Sequence, residues 1–132
     1  MRPIARLAAV AALLWGLAAA PGLADPAYDQ CINASSTNTA WSQCGGEFVQ
    51  RQDDKLNAVW KKVYALTSGQ SKTDLLAEQR AWIAFKDKAC RLYANGDYGR
   101  EGQVLGYPSC LADVITDRTR QLEAIGRQLA PR

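Results

Sequence analysis

"LAEQRAWIAFKDKAC", Leu76 to Cys90, decides the fold. With the preceding Leu75, it sets Gln79, Trp82, Lys86 and Cys90 three or four residues apart, the period of an α-helix with one broad inward face. Ser71 and Asp74 form a shortened capping box ahead of it, which predicts a helix opening there. Leu75, Trp82, Ile83, Cys90 and Tyr93 are expected on the buried side. Arg80 and Asp87 fall on the outward side, and Asp87 stands four residues before Arg91, the favourable order for an exposed helix ion pair.

The same period extends in both directions. Before this stretch, Thr39 to Ser68 carries Trp41, Phe48, Leu56, Val59 and Val63 in a helical stripe. Gly45 and Gly46 each weaken its first turns by roughly 1 kcal/mol, so its start is expected at Thr39 or just after the glycines. After it, Cys110 to Leu129 repeats the pattern with Leu111, Ile115, Leu122, Ile125 and Leu129. No window alternates apolar and polar residues as a half-buried strand does. The expected fold is all-α: a small disulfide-stapled three-helix bundle with a short N-terminal segment and a long loop before the last helix.

Residues 1–24 read as a cleavable signal peptide, and residues 25–132 as the helical domain. Arg2 and Arg6 make a basic start, and Leu7 to Leu23 is apolar. Gly22 and Ala24 then provide small residues before a cut ahead of Asp25. The apolar run has 17 residues, short of the roughly 18 of a membrane helix. The expected location is therefore periplasmic or secreted, without stable membrane insertion once the leader is removed. Cys31 lies seven residues past Ala24, so the protein is not expected to be a lipoprotein.

Removing Arg2 and Arg6 from 16 basic and 13 acidic residues leaves a net charge of +1. A charge so near zero provides no electrostatic footprint for nucleic acid. All four cysteines, Cys31, Cys44, Cys90 and Cys110, lie in the exported part, and an even count in a short exported domain reads as two disulfides. Three pairings are open; loop lengths favour Cys31–Cys44 with Cys90–Cys110.

Polar residues interrupt every apolar stripe. Gln52 lies among Phe48, Leu56 and Val59, while Gln79 and Lys86 lie among Leu75 and Trp82. Arg118 lies among Ile115, Leu122 and Ile125. One reading is a structural polar core, with the glutamines bonding across helices and Lys86 and Arg118 extending their heads to water. The other is a polar groove that receives a partner.

Between the last two cysteines, "ANGDYGREGQVLGYPS", Ala94 to Ser109, reads as a long loop with four glycines. It is either a connector or a binding loop, because long loops and tyrosine-rich segments serve both ends. Tyr98, Arg100, Glu101 and Tyr107 are the candidate partner-binding residues. Asn95, Asp97 and Glu101 alternate oxygens, but the remainder of a calcium loop is missing, and no metal site is expected.

Catalysis has little to work with. Histidine is absent, which removes the commonest general base and the usual activated nucleophiles. No C-x-x-C and no glycine-rich phosphate loop occurs, so neither an enzyme nor a cofactor is expected.

The order of Cys31, "WSQC", "DDKLNAVWKKVYAL", "LLAEQRAWIAFKDKAC", Cys110 and "DRTRQL" resembles the LprI-like lysozyme-inhibitor domain family. The resemblance runs from Cys31 to Leu122. It is most specific at Leu56-Asn57 with Trp60, and at Gln79-Arg80-x-Trp82 continuing to Phe85, Lys86-Asp87 and Cys90. It departs where family members often carry a Gly-Gly-Ser-like element, replaced here by "GDYGREG", and a threonine, replaced here by Ile115. The resemblance implies a small exported helical module with a role in lysozyme inhibition. Because a lysozyme cleft holds paired carboxyl groups, a basic side chain on the stapled loop is expected to act by occlusion, with Arg100 as the candidate. The alternative is an accessory module that binds another envelope protein.

Overall fold

The computed structural model describes residues 25–131. The expected leader, residues 1–24, lies outside the described residues. Among these residues there is no strand, and three long helices dominate: α2 (Asn38–Ala65), α3 (Gly69–Lys86) and α6 (Tyr107–Leu129). Short helices α1 (Pro26–Asn33), α4 (Arg91–Ala94) and α5 (Gly99–Glu101) complete the chain, and a π-helical turn, Gly102–Gly106, joins α5 to α6. The fold is all-α, as the periodicity predicts.

Helix α1 starts because Asp25 caps it: the Tyr28 amide donates to the Asp25 carboxylate at 2.9 Å, and Pro26 occupies the first turn. Proline costs nothing there, since its missing N–H would have no helical partner. The Cys31–Cys44 disulfide pins α1 to α2, and the Tyr28 ring stacks on Phe48 at 4.5 Å. The second disulfide joins Cys90 to Cys110. Both favoured pairings are present, the first joining α1 to α2 and the second joining the chain just past α3 to α6.

Helix α2 begins before its glycines. Thr37 caps it by accepting from the Ala40 amide at 3.2 Å. The helix continues through Gly45 because α6 needs that space: a Cβ there would stand 2.6 Å from the Pro108 ring. Close interhelical packing offsets the helical cost of this glycine.

Helix α3 differs from expectation at both ends. It opens at Gly69, whose φ is +55°, with Ser71 and Asp74 already inside the helix. It closes at Lys86, and Cys90 is turned into the left-handed region at φ +66°. Leu75, Gln79, Trp82 and Lys86 lie along one line of the helix. Ile83 stands 100° further round and is exposed, as is Phe85. Asp87 accepts from Arg91 through its backbone carbonyl, not its side chain.

The expected long loop is mostly helical. Gly99, at φ +67°, turns the chain into α5, and the π turn carries it straight into α6. Gly102 and Gly106 lie against Tyr98 and Tyr93, where a Cβ would come within 2.6 Å and 3.1 Å of those side chains. Two glycines that suggest turns, Gly102 and Gly106, are therefore the face on which the tyrosines pack.

The centre of the molecule is built from Leu56, Val63, Leu75, Ile115 and Leu122, with Trp60, Trp82 and Ile125 packed around them. Ile115 and Leu122 are fully buried, each stabilising the fold by roughly 2 kcal/mol.

Candidate functional site

Three features outside the apolar centre carry the polar chemistry: an interior network, a stapled projection and a cleft. The network has two parts. In the first, Arg51 grips the Asp25 carboxylate through two nitrogens at 3.2 and 2.9 Å, and Gln52 donates to the same group at 3.2 Å. Thr116 on α6 donates to the Gln52 carbonyl at 3.4 Å. Asp25 is buried, and the hydrogen bonds from Arg51 hold its carboxyl below the usual carboxylate range against the opposing effect of burial. Asp25 and Arg51 are the residues that sequence reasoning missed. An Asp-Pro pair ahead of a short helix is a cap signal, and it was overshadowed by the expected cleavage point.

In the second part, Arg118 on α6 reaches α3. Its Nε donates to Gln79 at 2.9 Å, and one terminal nitrogen donates to Glu78 at 2.6 Å and to Gln121 at 3.2 Å. The guanidinium is buried, contrary to the expectation that it extends to water, and its second terminal nitrogen has no hydrogen-bond partner among the described residues. Gln52 and Gln79 are buried as well. Lys86 is half-buried, and its ammonium lies 5.8 Å from the centre of the Trp82 ring.

The projection is the segment closed by Cys90–Cys110. Tyr98 is 61% exposed and leans on Tyr93 at 5.5 Å between ring centres. Arg100 and Glu101 are exposed at its tip, and Arg100 donates to the Gln103 carbonyl at 3.1 Å. Asn95 accepts from the Asp97 amide at 2.8 Å, which shapes the approach to the tip. Tyr107 is not part of this tip. It is half-buried at the first position of α6, directly after the π segment, and lines a cleft. The four candidate residues therefore divide into an exposed trio and a cleft residue.

That cleft, of about 310 Å³, lies between the first half of α2, the end of α3 and the π turn. Its floor is apolar, made of Val49, Val104, Pro108, Leu111 and Ile115. Asp53, Lys86 and Gln103 supply polar groups, and Gly45 and Gly46 form one wall. Among the described residues, no three side chains of the metal-ligating types converge. No helix of the described residues is long and apolar enough to cross a membrane.

This architecture defines a class, the small disulfide-stapled helical domain with a bridged, exposed segment before its last helix and a cleft. The chain belongs to the lysozyme inhibitor LprI family, whose model matches residues 31–122, most of its length. No curated protein and no solved structure matches it significantly. At the level of the family the role is inhibition of lysozyme, a non-catalytic function exerted on a protein partner.

Proposed function

We propose that the protein is exported by its leader and inhibits lysozyme by occupying the substrate cleft with the stapled projection. The family match across residues 31–122 carries this reading. A glycosidase cleft contains paired carboxyl groups, and a guanidinium on a rigid support complements them. Arg100 is exposed at the tip, and Gln103 orients it. The Cys90–Cys110 bridge limits the freedom of the segment before binding, so less entropy is lost on association. Tyr98 adds contact area beside it.

Isothermal titration of lysozyme with the purified protein, with and without a chito-oligosaccharide filling the cleft, tests the mechanism. Occlusion predicts binding that the oligosaccharide suppresses and that Arg100→Glu weakens at least tenfold. Binding unaffected by a filled cleft overturns it. The second reading, an accessory module for another envelope protein, draws on the exposed Ile83, Phe85 and Leu92. It predicts a stable partner in envelope extracts and no effect on lysozyme.

A further inference from the structure

The cleft beside Lys86 has features that the bundle does not need. Gly45 is explained by packing, since Pro108 occupies the place of its Cβ. Gly46 is not: a Cβ there would meet nothing within 4 Å. An interior helical glycine costs roughly 1 kcal/mol relative to alanine, and this one leaves a wall of the cleft bare. Two opposite charges line the same space. Neither Asp53 nor Lys86 takes part in an ion pair among the described residues, although both are half-buried. Among the described residues, Asp53 accepts only a long hydrogen bond from Asn57, at 3.4 Å. Asp53 and Lys86 thus present opposite charges to one space without an ion pair between them, and a ligand bearing both signs would meet both.

We infer that this cleft is a binding site for an amino-acid-sized zwitterion with an apolar side chain. The side chain rests on the half-buried Val49 and Leu111, above the buried Val104 and Ile115. The ligand's carboxylate is met by Lys86 and its ammonium by Asp53. The absent side chain at Gly46 lets the ligand approach the α2 backbone. A volume of about 310 Å³ lies at the small end of ligand pockets, which suits a single amino acid. Because no lysozyme is involved, this site stands or falls separately from the inhibitory reading.

Nuclear magnetic resonance of the purified protein, with leucine as the probe, tests the inference. Leucine is expected to shift the methyl signals of Val49, Val104, Leu111 and Ile115, with Kd on the order of 1 mM. Leucinamide, which lacks the carboxylate, and N-acetylleucine, which lacks the ammonium, should each bind at least fivefold more weakly. Lys86→Met should erase the preference over leucinamide alone, and Asp53→Asn the preference over N-acetylleucine alone. Gly46→Leu should abolish all three responses while the rest of the spectrum is retained. The inference is overturned by no localised shift, by equal affinity for the three probes, or by a response that survives Gly46→Leu.

Discussion

Replacing Asp25 by alanine removes three functions at once. The cap on α1 is lost, since the Tyr28 amide no longer has its acceptor, at a cost of about 1 kcal/mol. Gln52, only 4% exposed, loses the carboxylate it donates to; a buried group left unsatisfied costs about 1–3 kcal/mol. Arg51 is 35% exposed and can turn to water, so its ion pair adds less than about 1 kcal/mol. The total is about 2–5 kcal/mol, which in a domain of this size lowers Tm by about 10–30 °C. Asp25→Asn keeps a capping oxygen and an acceptor for Gln52, and should cost about 1 kcal/mol. Thermal unfolding followed by circular dichroism gives the comparison. Because the folded carboxyl titrates below its ordinary value of 3.8, its contribution is complete above that pH and fades as the pH falls through the folded value. The gap between wild type and Asp25→Asn should therefore close in strongly acidic solution. A Tm for Asp25→Ala within 3 °C of wild type on the order of the experimental scatter, or a gap that widens in acid, refutes the reasoning.

Further outcomes are expected elsewhere in the molecule. Arg118→Ala strands the Gln79 carbonyl and should destabilise by about 2–4 kcal/mol in chemical denaturation; pairing Arg118→Met with Gln79→Leu should recover most of that loss, because an apolar pair replaces a polar one. The adjacent glycines should respond with opposite signs: Gly45→Ala drives a methyl into Pro108 and costs about 1–3 kcal/mol, whereas Gly46→Ala meets open space and stabilises by up to about 1 kcal/mol. Peptide mapping without reduction should recover Cys31 linked to Cys44 and Cys90 linked to Cys110, and removing the latter bridge with serines should cost about 3 kcal/mol.

The helices were legible because burial leaves a periodic trace. Leu56, Val63, Ile115 and Leu122 mark it, and all four are buried. The errors arose where one residue type answers to two physical demands. Gly99, Gly102 and Gly106 suggest turns, yet only the first needs a positive φ; the others make room for tyrosines inside a helix. Ile83 belongs to the apolar face by composition, but Trp82 takes the inward line and leaves it outside. Arg118 looks like a side chain that reaches water, and its neighbours Gln79 and Gln121 keep it inside. The cleft had no sequence signature, because its floor joins Val49 to Val104 and Leu111 across elements far apart in the chain.

Lysozyme activity itself gives the most direct test of the proposed function. The clearing of a bacterial cell-wall suspension by lysozyme should slow in proportion to added protein, and Arg100→Glu should require at least ten times more protein for the same effect. Undiminished clearing in the presence of a large molar excess of the wild-type protein would contradict the account.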